Sequence, residues 1–248
     1  MAIRLDVVFS PLGLPAQDLA GRTVFVIDIL RATSAMAAAL HHGARAIIPV
    51  ASTEEAMKLS QTLGREDTLL CGERECRPIP GFDLGNSPLE MTPERVKGRT
   101  LVMTTTNGTR ALLATSAASA VYAAAAVNLA VSAARAAQAL EAGEPVVILC
   151  AGRENAFALE DAYCAGRLAL AALGGKPRVR GLGDAAVAAL DLVRRYRDRW
   201  PRPLLASEGG KRLRRLGYGP DVEACATPDA YPVLAQFHDR RVTRVATA

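Results

Sequence analysis

The sequence predicts an α/β fold, and three observations predict it. Short apolar runs of strand length alternate with helix-like stretches, the runs are apolar almost throughout, and the polar residues that follow them gather at the turn into the next helix. The arrangement expected is a three-layer α/β/α with a largely parallel or mixed sheet. A first strand falls at 3–9. Strand 23–29 leads into helix 33–42, opened by Thr33 or Ser34 and closed before Gly43 by His41 and His42, which suit the negative end of a helix dipole. Strand 45–50 leads into helix 53–63, and a strand at 68–71 precedes a long excursion, 72–98, broken by Gly72, Pro78, Pro80, Gly81, Gly85, Pro88, Pro93 and Gly98. Strand 100–104 then leads into helix 108–115, strand 119–123 into helix 128–141, and strand 145–150 into helix 159–172. From about residue 176 the pattern becomes helix-rich and arginine-rich, with a strand expected at 221–226 before the tail.

The 248 residues can bury a substantial core, and a single domain over 1–248, with a helix-rich C-terminal lobe, accommodates them. Half the residues are hydrophobic, yet no apolar run reaches membrane-spanning length and no signal-peptide pattern opens the chain, so a soluble cytoplasmic protein without membrane contact is expected. Its five cysteines are odd in number and lack the paired spacing of a zinc site, which points to reduced thiols. The charge of +5 includes a cluster of arginines between 194 and 215, Arg212 among them. With only 4% aromatics and no nucleic-acid module, that cluster reads as a solvated helical face, and no nucleic-acid partner is expected. Composition leaves a homo-oligomer open.

Chemistry-bearing residues collect at the strand ends, where ligands of α/β proteins bind. In Leu101-Val102-Met103-Thr104-Thr105-Thr106-Asn107-Gly108-Thr109-Arg110 an apolar run breaks into hydroxyl and amide donors. Gly108 permits close backbone approach, the next helix would aim its free N–H groups at the corner, and Arg110 adds a charged fork. The corner suits phosphate, carboxylate or sulfonate. Asp28 ends another apolar strand, where a carboxylate needs a partner: an ion pair with Arg31 is one reading, a metal or catalytic role the other. The residue two beyond Asp28 is Leu30, which disfavours the phosphatase superfamily that places a second Asp there.

Cys71 and Arg77 match the Cys-x5-Arg spacing of cysteine-dependent phosphatases, but Glu73 and Glu75 would put negative charge inside the phosphate cradle and oppose a thiolate. Glu73 reads better as a metal-facing carboxylate and Arg74 as an anion-facing guanidinium. Asn86 and Ser87 stand in a turn-rich run, and Glu160 and Asp161 open a helix after the glycine turn at 151–153, either as dipole complements or as metal ligands. No phosphate-loop or dinucleotide glycine motif is present, and three scattered histidines do not suggest a binuclear metal site.

The order and spacing of Val26 to Ser34, Gly72-Glu73-Arg74, Gly81 to Pro88, Thr104 to Arg110 and Cys150-Ala151-Gly152 resemble the 2-phosphosulfolactate phosphatase family, with further likeness at Leu159-Glu160-Asp161 and Gly166 and, more weakly, over Ser207 to Asp221. The resemblance implies an α/β fold unlike the common phosphatase folds. It also implies a magnesium-dependent enzyme that hydrolyses 2-phospho-3-sulfolactate to 3-sulfolactate and phosphate, a step of coenzyme M biosynthesis. One departure is Cys76, with Arg77 and Pro78, where a glycine is expected soon after Gly-Glu-Arg.

Together the residues and the resemblance point to a small, anionic phosphorylated substrate. Asp28 and Glu73 are the candidate catalytic residues, and Asp28, Glu73 and Asp161 the candidate Mg²⁺ ligands. Arg31, Thr33, Ser34, Arg74, Asn86, Ser87, Thr104, Thr105, Thr106, Asn107, Gly108 and Arg110 are the candidate substrate-binding residues. The rival reading is a non-catalytic anion-binding or regulatory domain, which keeps the cradle and does not require the carboxylates.

Overall fold

Apolar runs with little polar interruption form strands, and these order the whole chain. The computed structural model describes residues 4–64, 66–176 and 182–245. The strands are β1 (Leu5–Val8), β2 (Thr23–Ile27), β3 (Ala46–Pro49), β4 (Thr68–Arg74), β5 (Arg77–Pro78), β6 (Thr100–Thr104), β7 (Ala120–Ala124), β8 (Val146–Cys150), β9 (Ala235–His238) and β10 (Arg241–Arg244). The helices are α1 (Ala32–His41), α2 (Thr53–Leu63), α3 (Pro93–Val96), α4 (Gly108–Leu113), α5 (Leu129–Glu141), α6 (Leu159–Ala172), α7 (Asp184–Tyr196), α8 (Pro201–Ala206), α9 (Glu208–Arg215) and α10 (Gly219–Cys225). The α/β expectation holds, and the sheet is mixed. Residue 3 of the first expected strand, 177–181 of the C-terminal lobe and the last residues of the tail lie outside the described residues.

Among the described residues ten strands form one sheet in the order β1-β8-β2-β7-β9-β10-β3-β6-β4-β5. Strands β1, β8, β2 and β7 are mutually parallel, as are β3, β6 and β4. The β9–β10 hairpin joins the two groups by antiparallel pairing with β7 and β3. The two parallel groups therefore run in opposite directions. In a flat sheet the carboxyl ends of β2 and β6 would lie at opposite edges, yet Gly108, beyond β6, packs against Asp28, beyond β2. The sheet must curl to bring them together.

Helix α1 is buried from Ala32 to Leu40 and packs on β7, β9, β10 and α4. A helix apolar on all sides belongs in an interior, and its alanines let neighbours approach closely. Helices α5 and α6 pack side by side on β2 and β8, and α7 lies against α6 and β1. Helix α4 also packs on β2, and every residue of β2 and β8 is buried, as in a strand covered on both faces.

The C-terminal lobe corrects one expectation. Residues 221–226 form no strand; 221–225 belong to α10 and Ala226 caps it, with Pro220 in its first turn and Val222 and Cys225 buried at a three-residue spacing that only a helix directs to one side. The C-terminal strands lie further on, in the β9–β10 hairpin. The excursion at 72–98 is also more ordered than a loop: β4 runs on to Arg74, pairs with β5, and is followed by a 3-10 turn at Pro88–Glu90 and by α3. Among the described residues, no helix is long and apolar enough to cross a membrane.

Candidate active site

The turns after β2, β4, β6 and β8, with α9, enclose a cavity of about 70 Å³ open to water-sized molecules. It is lined by the carboxylates of Asp28, Glu73, Glu75, Glu154, Glu160 and Asp161, by Arg31, Arg153 and Arg212, and by Asn86, Thr106 and Asn107. Asp28 is delivered by the buried β2. Its backbone N–H donates to Thr33 Oγ1 at 3.1 Å, and its carbonyl accepts from the Thr33 N–H and hydroxyl. The Ser34 hydroxyl donates to the Ile29 carbonyl. Thr33 and Ser34 are thus buried in the turn and build its backbone; neither lines the cavity.

Glu73 knits two turns together. Its Oε1 accepts from the Thr106 N–H and its Oε2 from the Cys76 N–H, each at 2.7 Å. Asp161, in the first turn of α6, does the same between β2 and β8: Oδ1 accepts from the Ile29 N–H and Oδ2 from the Gly152 N–H. Glu160 sits against α9, where a Cβ on Gly209 would lie 2.2 Å from its Oε1; only glycine allows that approach. Burial and the charge of Glu73 push the Asp28 carboxyl up to about 7. Burial and then Asp28 raise Asp161 well above the carboxylate range, and burial raises Glu160. Four carboxylates held this way favour a shared proton or a cation among them.

Arg31 does not pair with Asp28. Its Nη1 donates to Asp221 Oδ2 at 2.5 Å, its Nη2 to the Cys76 carbonyl at 2.8 Å, and its guanidinium lies 4.6 Å over the Tyr218 ring. Ser87 donates to the other oxygen of Asp221 at 2.7 Å. The ion pair considered between Asp28 and Arg31 is therefore replaced by one that ties α10 to the turn before α1.

The corner at 104–110 divides its labour. Arg74 donates to the Thr104 hydroxyl and the Glu73 carbonyl, so these two residues brace β4 against β6 outside the cavity. Thr105 and Thr109 exchange backbone-to-hydroxyl bonds at 3.1 Å that start α4. Thr106 and Asn107 face the cavity, and Asn107 Oδ1 accepts from the Glu154 N–H. Arg110 is exposed and is not among the cavity residues. Thr106 Oγ1 and Asn86 Oδ1 are buried without a hydrogen-bond partner, although both residues line the cavity. Buried polar atoms are normally satisfied, so this pair marks where a ligand belongs.

The cysteines are all unpaired. Cys71 is fully buried, and burial, then Glu90 and Asp83, push its thiol far above the ordinary range, as expected for a residue that only happens to match the Cys-x5-Arg spacing. Among the described residues, no three His, Cys, Asp or Glu side chains are grouped as a metal cage. Mg²⁺ commonly needs only one or two carboxylates, with water and substrate phosphate completing its shell, and each carboxylate oxygen here keeps a second lone pair.

Residues 8–240 match the family described as 2-phosphosulpholactate phosphatase. The chain belongs to that family. A protein of Symbiobacterium thermophilum named probable 2-phosphosulfolactate phosphatase is 41% identical over 228 residues, 92% of this chain and 96% of that protein. Proteins of the same name are 37% identical over 226 residues in Caldanaerobacter subterraneus subsp. tengcongensis (89% of this chain, 90% of that protein) and 36% over 230 in Thermotoga maritima (93% of each). As a member of the 2-phosphosulpholactate phosphatase family, the protein is a phosphoric monoester hydrolase.

Sequence reasoning missed the cavity roles of Arg153 and Arg212 and the partnership of Asp221 with Arg31. Arg212 lies in an arginine-rich stretch that reads as a solvated surface, and nothing local distinguishes it from Arg214 or Arg215. Arg153 had a signal, since it follows β8 in the same kind of polar glycine turn that presents Thr106.

Proposed function

We propose that this protein hydrolyses 2-phospho-3-sulfolactate, or a phosphorylated 2-hydroxy acid of similar charge, to the free hydroxy acid and phosphate, with Mg²⁺ in the cavity. One observation carries the reading: a single cavity joins buried carboxylates to a basic rim and leaves Thr106 Oγ1 and Asn86 Oδ1 unpartnered. The names of the relatives support the substrate. An anion-binding module without catalysis has no use for Asp28, Glu73, Glu160 and Asp161, which would repel its ligand.

The donors suit magnesium, a hard cation that takes oxygen ligands. Asp28 would hold it, with Glu73 and Asp161 beside it. When bound, Mg²⁺ supplies neutralisation of charge on the transferring phosphoryl group. Hydrolysis breaks the bond between phosphorus and the C2 oxygen; water gives its hydroxyl to phosphorus and a proton to the leaving oxygen. Without a cation the Asp28 carboxyl is pushed up to about 7; with Mg²⁺ held there it would be ionised, and its free lone pairs could accept the proton of the attacking water. Glu73 fixes the Thr106 N–H and the turn at Cys76, so it orients the cavity wall at both of these turns. The reading places the reaction in the cytoplasm, as a step of coenzyme M biosynthesis.

The test is phosphate release across a panel of phosphorylated 2-hydroxy acids, with and without Mg²⁺. Release that requires Mg²⁺ and favours the sulfonated acid is the expected result. Equal release from simple alkyl phosphates would set the substrate assignment aside, and no release from any member would set aside the activity.

A further inference from the structure

Two cavity arginines have no part in the chemistry above. Arg212, on α9, donates from Nη2 to Glu75 Oε2 at 3.2 Å and to the Glu75 carbonyl at 3.3 Å. Arg153 holds its Nε 3.7 Å from Glu154 Oε1. The arginine side chains are 28% and 27% exposed, whereas those of Glu75 and Glu154 are 83% and 71% exposed. Each guanidinium is therefore lodged in the cavity wall, and each acid is largely in solvent.

Both acids ride tight turns of the same kind. Glu75 and Cys76, with φ of 55° and 67°, turn the β4–β5 hairpin; Glu154 and Asn155, with φ of 51° and 65°, form the turn closed by Arg153 and Ala156. Turns with two left-handed residues favour glycine or asparagine, and only Asn155 of the four conforms. Left-handed backbone at other residues persists where its surroundings hold it, and such places cluster at ligand clamps. The charges of Arg31, Arg212 and Arg153 all reach Cys76, in the first of these turns. Arg31 is already committed to the buried Asp221. Ion pairs with solvent-exposed acids contribute little, so a ligand anion can replace Glu75 or Glu154 at small cost.

We propose that Arg153 and Arg212 receive the anionic groups of the substrate that are not transferred, its carboxylate and sulfonate, and that Glu75 is a placeholder which Arg212 leaves when substrate enters. This rests on the phosphatase reading, in which the phosphoryl group belongs among the buried carboxylates and their cation. The remaining charges of the substrate then fall toward the basic rim, where planar guanidinium forks match carboxylate and sulfonate oxygens.

Calorimetric titration of 3-sulfolactate and, separately, of inorganic phosphate into the unaltered protein and three variants tests this. Arg212→Met and Arg153→Met are each expected to weaken 3-sulfolactate roughly 10- to 100-fold, the scale of a lost charged hydrogen bond, and to weaken phosphate less. Glu75→Gln frees Arg212 and is expected to tighten 3-sulfolactate. Equal losses for both ligands, unchanged affinity in both methionine variants, or weaker 3-sulfolactate binding in Glu75→Gln would overturn the proposal; the last would make the Arg212–Glu75 pair a structural strap. Absence of 3-sulfolactate binding to the unaltered protein would overturn it as well. Phosphate release measured in parallel separates the two claims: the expected binding pattern without turnover removes the proposed activity and leaves this anion receptor in place.

Discussion

Oδ2 of Asp28 sits where a side chain on Gly108 would have to begin, since a Cβ there would lie 2.7 Å from that oxygen and 2.5 Å from Cβ of Ala32. Real Cβ atoms do not approach so closely, so Gly108→Ala must drive α4 away from the turn that carries Asp28. Overpacking of this kind costs about 1–3 kcal/mol. Urea midpoints and phosphate release, measured where the variant is folded, are expected to show a modest stability loss with a larger loss of turnover. Unchanged turnover would mean that the contact does not set the position of Asp28.

The protonation of Asp28 gives stability a definite pH dependence. Its carboxyl is held at about 7 in the folded chain against 3.8 as an ordinary side chain, chiefly by burial and then by Glu73. Between those values the folded chain keeps a proton that the unfolded chain has released. Stability from this group is therefore full below the lower value and is lost as pH rises through the upper one. His41, held below its ordinary 6.5 first by burial and then by His42, acts in the opposite sense, but only below that value. From pH 6.5 to 8 in chelator, the melting temperature is expected to fall, and Asp28→Asn to flatten the fall. A melting temperature that rises over that range, or an equal fall in the variant, would contradict the assignment.

The Arg31–Asp221 pair is buried on both sides, with side chains 3% and 5% exposed. Removing one charge strands the other. Asp221→Asn keeps the volume and is expected to cost about 3–5 kcal/mol in urea denaturation. A loss under about 1 kcal/mol would show that Tyr218 and the Cys76 carbonyl satisfy Arg31 without its partner.

The elements legible in the sequence are those whose burial is symmetrical. Strands β2, β6 and β8, buried nearly throughout, read as unbroken apolar runs, and α6 begins and ends where its pattern does. The β9–β10 hairpin escaped because Gln236, His238, Arg241 and Arg244 give it a polar face and its turn, Asp239-Arg240, lacks glycine. Residues 221–226 misled because Val222, Ala224 and Ala226 mimic strand alternation, while the buried residues are Asp221, Val222, Cys225 and Ala226, one side of a helical turn. In the site, Asp28, Glu73, Thr106 and Asn107 were readable as polar residues at strand ends. Arg212 and Asp221 were not: a curled sheet and a C-terminal lobe bring them there, and neither leaves a local trace. Arg110 shows the converse, since its place in the motif suggested a cavity that its turn of α4 does not face.

Cys71 separates the carboxylate chemistry from a thiol mechanism. Fully buried and pushed far up in pKa by burial, it is expected to serve packing alone. Cys71→Ala should lower stability by about 1–2 kcal/mol, the scale of a small core truncation, and leave turnover of the folded protein intact. Loss of turnover at normal stability, with a phosphocysteine trapped on the unaltered protein, would replace the carboxylate mechanism.

The most direct measurement is phosphate release from 2-phospho-3-sulfolactate by the unaltered protein and by Asp28→Asn, each with saturating Mg²⁺ and with chelator. The amide keeps the volume of Asp28 and removes both the charge that would hold the cation and the group that would exchange a proton. Release by the unaltered protein only with Mg²⁺, and a rate lower by about 10²- to 10⁴-fold in the folded variant, are the predicted results. Near-normal release by folded Asp28→Asn, or release by the unaltered protein that chelator does not diminish, would contradict the account.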